Sequence, residues 1–338
     1  MRMVDEFREA PHIIARQVQE LASPLGELVA RLKSKPPRVV VTCARGSSAH
    51  AAAFAKFLIE RHIGIPVAPA APSITTIYGR RLALRDELFV AISQSGRSDD
   101  LTENAVAARE CGALTAAFVN DTASPLAAAC EFVLPIGAGF ERSVAATKTF
   151  VATLSALLRL AERWAQDDRL AAALARLPDR LDAAGRQDWS AALPGFADAV
   201  SLVTIGRGPT LAIAREAALK LKEACNLHAE AFSGAEFLHG PVALVSLRYP
   251  ILMLMPTDAA AAGLEHLAQD LRRKGAAVFC TEAGLPGPGR LPTIRADHPG
   301  TDAVCLIQSF YAMLIRLAER LGADLDRPRH LEKVTRTR

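Results

Sequence analysis

The stretch Leu-Phe-Val-Ala-Ile-Ser-Gln-Ser-Gly-Arg-Ser-Asp-Asp, residues 88 to 100, sets the architecture of this chain. Leu88 to Ile92 is a short apolar run without polar alternation, the pattern of a strand buried on both faces. It ends in Ser93-Gln94-Ser95-Gly96-Arg97-Ser98, and a helical pattern opens near Asp99. Working outward, Arg38 to Ala44, Leu114 to Val119 and Phe132 to Ile136 have the same short, fully apolar character, and each adjoins a helix-length segment. Strands alternating with helices predict an α/β fold with a doubly wound parallel sheet covered on both faces.

Upstream, Val4 to Lys33 carries apolar residues at helical spacing, with a break or kink expected at Pro24. Downstream, a long helix from Lys148 to Ala165 closes the unit, and the polar, Ala-rich region 166–193 reads as a helical linker. The pattern then restarts. Ala199 to Ile205 ends in Gly206-Arg207-Gly208-Pro209-Thr210, a helix runs through Glu223, and Ile251 to Met255 and Ala277 to Thr281 supply further strands. Ala44 to Ser48 answers Gly206 to Thr210, and Leu88 to Ile92 answers Ile251 to Met255, so the chain is an internal duplication. The boundaries expected are a helical segment over 1–35, a first domain over 36–166 and a linker over 167–194. A second domain covers 195–322 and a tail 323–338.

A length of 338 residues suits two domains, and 50% apolar with 22% charged residues fits a globular chain with sizeable cores. The net charge of +4 is small, and the basic residues are scattered apart from the run Arg327 to Arg338, which gives no nucleic-acid footprint. Cysteines 43, 111, 130, 225, 280 and 305 form no Cys-x-x-Cys pair, and most lie in apolar runs, the usage expected of buried free thiols in a reducing compartment. The first eight residues are charged throughout, unlike a secretory signal, and no apolar run is expected to reach the length of a bilayer span. A cytoplasmic protein that touches neither membrane nor nucleic acid is the expectation.

Two constellations carry chemistry. The loop from Ser93 to Ser98 places hydroxyls and backbone N–H groups at a helix N-terminus, where an anion is stabilised. Ser47 and Ser48 leave the preceding strand at the same carboxyl edge, where open α/β sheets bind ligands. The loop lacks both the Gly-Lys-Ser/Thr ending of a P-loop and the dinucleotide Gly-x-Gly-x-x-Gly. Read from spacing, it is equally a phosphate site or an ordinary turn in which Ser98 is an N-cap. In the second half, Glu216, Lys220 and Glu223 share one helical face, as an acid/base site would or as a solvated salt-bridge ladder would. The stretch His228 to Pro241 reads as a loop, with His239 on a tight turn before Gly240-Pro241, where an imidazole can shuttle protons. Lys333 is not singled out by its surroundings, and no metal-ligand spacing is present.

Six segments together resemble one family. They are Ser93 to Ser98, Val144-Ala145-Ala146-Thr147-Lys148, Glu216-x-x-x-Lys220-x-x-Glu223, His228 to Ala231, Glu236 to Pro241, and Asp324 to Lys333. They are similar to the sugar-isomerase (SIS) half of glucosamine-6-phosphate synthase, over residues 36 to the C-terminus. Arg45-Gly46-Ser47-Ser48 and the Pro72 to Gly79 stretch bring the chain nearer still to SIS-type glucosamine-6-phosphate deaminases. The resemblance implies two tandem SIS domains, the first binding phosphate and the second bearing the catalytic helix. It implies that Ser47, Ser48, Ser93, Gln94, Ser95 and Ser98 hold the sugar phosphate and that Val144 and Ala145 line the sugar pocket. Glu223 would move the proton between C1 and C2, and Lys220 would sit beside it with Glu216 in support. His239 would assist ring opening from the neighbouring subunit of a homodimer, and Lys333 would enter from the tail and form an imine with the open ketose. No cofactor or metal is implied. The synthase has Ser where Ala146 stands and a small residue where Glu332 stands, so the shape of the sugar pocket differs.

The synthase's glutaminase domain has no counterpart here, and Arg2 stands where its nucleophilic Cys would follow Met1. Deamination of glucosamine 6-phosphate to fructose 6-phosphate is therefore the expected reaction. The alternatives are a deglycase of a 6-phosphorylated sugar–amine adduct, a galactosamine-6-phosphate deaminase, or a non-catalytic sugar-phosphate sensor.

Overall fold

A computed structural model describes residues 2–281 and 288–333. Each half of the chain builds a five-stranded parallel sheet flanked by helices, as the alternating pattern predicts. The chain divides into two compact units, one formed by His12–Glu141, Lys148–Leu174 and residues 332–333, the other by residues 2–11, Arg142–Thr147 and Ala175–Leu331. The tail therefore returns to the first unit at Glu332, while the Arg142–Thr147 segment belongs to the second. Residues 334–338 of the predicted tail lie outside the described residues.

Helix α1 (Arg2–Ser34) runs without a break through Pro24, where a break or kink was expected. In its buried stripe Ile14, Leu21, Leu25, Leu28 and Leu32 are each at most 1% exposed, so tertiary packing overrides the local cost of the proline. In the first unit follow β1 (Val40–Ala44), α2 (Gly46–His62), β2 (Val67–Pro69), α3 (Ser73–Thr76), β3 (Leu88–Ser93), α4 (Asp99–Glu110), β4 (Leu114–Val119), α5 (Pro125–Ala129), β5 (Phe132–Pro135) and α6 (Lys148–Ala165). The strand order is β2-β1-β3-β4-β5, with Ala44 beside Ile92 and Ile92 beside Phe118. One face of the sheet packs Val41, Cys43, Phe89, Ala91, Ala117 and Val119 onto Leu101, Ala105 and Ala108 of α4 and Leu126 of α5. The other face is covered by α2, which packs against α6. That is why these strands are apolar without alternation. Glu87 holds the start of β1, its buried carboxylate accepting hydrogen bonds from the N–H groups of Arg38 (2.8 Å) and Val39 (3.0 Å).

Helix α7 (Asp168–Ala184) carries buried Leu170, Leu174, Leu177 and Leu181, none above 2% exposed, so the region read as a linker is packed. The second unit continues through α8 (Leu193–Ala197), β6 (Ser201–Gly206), α9 (Pro209–Cys225), β7 (His228–Ser233), α10 (Gly234–Leu238), β8 (Pro250–Leu254), α11 (Ala261–Arg273), β9 (Ala277–Thr281), β10 (Arg290–Leu291) and α12 (Pro299–Arg320). Its order, β10-β9-β8-β6-β7, is the first sheet's order with the strands renumbered. The duplication thus extends to topology.

Two expectations are corrected here. Residues 228–233 are an edge strand paired with β6 from Ser201↔His228 to Gly206↔Ser233, not a loop; the alternation of polar residues fits a strand with one open side. Helix α12 is 22 residues long, and its most apolar 18-residue window has a mean hydropathy of 1.3, long and apolar enough to span a bilayer by composition. Of that window 89% is buried within the fold, as in a core helix. All six cysteines are free, and only Cys111 is not buried.

Candidate active site

The reversal of strand order between β1 and β3 opens a crevice at the carboxyl edge of the first sheet. The phosphate-loop candidates flank it. Ser47 and Ser48 lie half-buried in the first turn of α2, while Ser93 closes β3 and is buried. Ser93 Oγ accepts a hydrogen bond from Gly96 N (3.0 Å), and Ser95 Oγ from Arg97 N (3.3 Å), so the loop is folded on its own hydroxyls. Gly96 has φ +63°, and a Cβ there would lie 2.0 Å from Ser124 Oγ, so only glycine fits. Ser98 occupies the N-cap position of α4, yet its side chain makes no capping bond, and Arg45 at the start of α2 makes none either. Two neighbouring helices therefore begin at one crevice without a capping bond from the side chain of either N-cap residue, an arrangement fit for an anion.

The first unit also holds Lys333. Its Nζ lies 3.5 Å from Glu141 Oε2, and Glu141 is buried and also accepts from Thr149 N (3.4 Å). Backbone bonding links this pair to the Ser93–Ser98 loop. Asn120 N donates to Gln94 O (3.2 Å), and the Asn120 side chain bonds both Ala138 N and Gly139 O, two residues before Glu141 is reached. Glu141 was not legible as a site residue, because its partner lies 192 residues away in sequence.

In the second unit the three charged residues of α9 are not a solvated ladder. Glu216 is 0% and Lys220 1% exposed, and only the Glu223 side chain, at 21%, reaches solvent. Lys220 Nζ lies 3.4 Å from Glu216 Oε1 and donates a short hydrogen bond to Glu223 Oε2. Tyr311 of α12 reaches Glu216 Oε1 at 3.5 Å. Burial opposes the ammonium of Lys220, but Glu216 and Glu223 outweigh it and hold its pKa above the ordinary value of 10.5. Val144 and Ala145 belong to the same unit, on a segment whose Arg142 and Ser143 N–H groups bond the buried Glu6 carboxylate. Glu6 thus holds the backbone of this segment, and no local signal in the sequence marks it. His239 follows α10 and is exposed, beside the half-exposed Leu238 and Leu244. Gly234 begins that helix because a Cβ there would lie 2.3 Å from Leu264 Cδ2.

The second sheet has an equivalent crevice between β6 and β8, and its polar groups are consumed internally. Thr210, the counterpart of Ser48, donates to Leu254 O (2.7 Å), and Thr257 donates to Asp302 Oδ2 (2.6 Å), which Arg180 also contacts. Among the described residues, no three His, Cys, Asp or Glu side chains group so as to hold a metal ion.

A model of the SIS domain matches residues 34–163 and 195–282. The chain belongs to the SIS-domain family. This SIS protein is 32% identical over 362 residues to a glutamine–fructose-6-phosphate aminotransferase (isomerizing) of Pseudomonas syringae pv. tomato, covering 98% of the chain and 58% of that relative. It thus spans little more than half the length of such relatives. A crystal structure assigned as a phosphosugar isomerase from Silicibacter pomeroyi is 43% identical with a TM-score of 0.93, covering 96% of this chain and 100% of that one. The C-terminal domain of glucosamine-fructose-6-phosphate aminotransferase from Francisella tularensis shares the fold with a TM-score of 0.87 at 24% identity, covering 97% and 98% of the two chains.

Proposed function

We propose that this SIS protein is an amino-sugar-phosphate deaminase, converting glucosamine 6-phosphate and water into fructose 6-phosphate and ammonia. The observation that carries the reading is the buried Glu216–Lys220–Glu223 face of α9, which leaves one carboxylate, Glu223, partly open at its end. Relatives named for isomerising transfer on fructose 6-phosphate support the substrate class. In this reading Ser47, Ser48, Ser93, Gln94, Ser95 and Ser98 hold the phosphate, and Val144 and Ala145 line the sugar.

His239, contributed by the neighbouring subunit of a homodimer, moves the proton that opens the ring. Glu223 takes the proton from C2 of the open aldose, giving an enolamine, and returns it to C1, giving an imine at C2. Water adds to that carbon, ammonia leaves, and the ketone of fructose 6-phosphate remains. The Lys220 cation faces the charge that develops on oxygen during the transfer. Lys333, held by Glu141, is the tail amine available to the open chain. Every electron pair is accommodated by the imine and carbonyl, so the sequence of steps calls on no cofactor.

The test is direct. Wild type incubated with glucosamine 6-phosphate should release ammonia and fructose 6-phosphate in equal amounts, and Glu223→Gln should bind substrate yet release neither. Normal turnover by Glu223→Gln would refute the assignment. Release of the parent amine and a sugar phosphate from a 6-phosphorylated sugar–amine adduct, with no ammonia from either hexosamine 6-phosphate, would replace the reading with a deglycase.

A further inference from the structure

Arg45 and Asp100 flank the phosphate loop and have no part in the proton chemistry. Arg45 directly precedes α2, two residues before Ser47, and Asp100 lies in the first turn of α4, two residues after Ser98. Arg45 Nη2 stands 2.7 Å from Asp100 Oδ2. Asp100 is only 6% exposed, and neither of its carboxylate oxygens has a hydrogen-bond partner among the described residues. The guanidinium is thus the group on which this buried charge depends. Both charges face the end of β1, where burial pushes the Cys43 thiol up to about 12, Asp100 adds to the rise and Arg45 opposes it. The pair also lines a cleft of about 480 Å³ shared with Asp99 and Glu103, so one cation stands among three carboxylates.

We propose that Arg45 is a positioning residue of the phosphate clamp, neutralising Asp100 so that a phosphate dianion can sit at the starts of α2 and α4. The inference rests on the Ser93–Ser98 loop being that clamp. An unpaired carboxylate in the first turn of α4 competes with phosphate for the positive end of the helix and repels it through a medium of low dielectric. Paired with Arg45, it does neither. Replacing the cation therefore weakens phosphosugar binding, and removing the anion as well restores it.

The experiment measures fructose 6-phosphate binding by calorimetry, and KM and kcat for glucosamine 6-phosphate, in wild type, Arg45→Met, Arg45→Lys and the double variant Arg45→Met/Asp100→Asn. Arg45→Met is expected to weaken binding and raise KM by about tenfold or more, with kcat little changed. Arg45→Lys and the double variant are expected to bind within about threefold of wild type. Denaturation midpoints are read in parallel, because a purely structural ion pair would lower the midpoint of Arg45→Met and leave the phosphosugar affinity of the folded variant unchanged. Wild-type binding by Arg45→Met, or a double variant as weak as Arg45→Met, overturns the proposal. If Arg45→Met does not fold, the double variant decides alone, because binding weakened more than about tenfold there overturns the proposal as well. A wild type that binds no fructose 6-phosphate overturns the proposed function together with this inference, a result distinct from the others.

Discussion

Gly96 shows how much a single residue fixes. Its N–H bonds Ser93 Oγ, its carbonyl accepts from Leu126 N (3.1 Å), and its φ of +63° lies in the left-handed region. A methyl group there meets Ser124, the N-cap of α5, which cannot withdraw without losing its bond to Ala127 N. Gly96→Ala is expected to cost about 1–3 kcal/mol of stability and to weaken phosphosugar binding, since the loop must open to admit the Cβ. Chemical denaturation with a parallel binding titration checks this, and an unchanged midpoint with unchanged affinity would show that the loop yields freely. The need for glycine could be suspected from Ser-Gly-Arg-Ser alone. The clash with Ser124 could not, because it comes from the neighbouring strand's loop.

At the scale of the element, α9 combines two roles that conflict energetically. A helix packed under β6 and α12 would be more stable with apolar residues at positions 216 and 220. Instead it buries a carboxylate and an ammonium, held by mutual attraction and by Glu223. Removing one partner of such a set leaves the other charged and desolvated. Lys220→Met is accordingly expected to destabilise the protein by about 3–5 kcal/mol, read from its denaturation midpoint, and a change below about 1 kcal/mol would mean that Glu216 is compensated elsewhere. The pH dependence has a definite sign. The folded pKa of Lys220 is raised above the ordinary 10.5, so its contribution is full below that value and is lost as the pH climbs beyond it toward the folded pKa. Wild type should lose stability on the alkaline side of pH 10.5, and Lys220→Met should lose less over the same interval. The spacing of Glu216, Lys220 and Glu223 marked one helical face. Whether that face met water or a core depended on α12, encoded about 90 residues later.

At the scale of the whole molecule, the two units divide the candidate residues. Ser47, Ser48, the Ser93–Ser98 loop and Lys333 fall in one, and Val144, Ala145, Glu216, Lys220, Glu223 and His239 in the other. The proposed homodimer adds a division between subunits. If His239 serves its neighbour's site, mixing inactive His239→Ala and Glu223→Gln homodimers under exchange conditions should restore activity to about a quarter of wild type, since half the dimers are mixed and each carries one intact site. No recovery would place His239 in its own chain's site. The duplicated fold has not kept duplicated chemistry. The first sheet's crevice is flanked by Ser47, Ser48 and the Ser93–Ser98 loop, while the second turns Thr210 and Thr257 inward onto Leu254 and Asp302.

The sequence by itself determined the elements and their repetition. Short, largely apolar runs such as Leu114 to Val119 fit strands covered on both faces, and the length and spacing of Lys148 to Ala165 fit a helix, so their ends were legible to within a residue or two. It also marked the Ser93–Ser98 loop as a candidate anion site, because hydroxyls and glycine between a strand and a helix are a local pattern, with an ordinary turn the equal alternative. Tertiary structure decided the rest. Edge strand β7 exists because β6 offers it a hydrogen-bonding partner, which the polar run His228 to Ser233 does not announce. Glu6, Glu141 and Lys333 acquire partners more than a hundred residues away, and no periodicity encodes such pairs. The burial of α12, which has the composition of a membrane span, is likewise a property of what surrounds it. Local sequence sets backbone preference and one-sidedness, but burial and ion pairing depend on distant segments, so they become visible only in the folded chain.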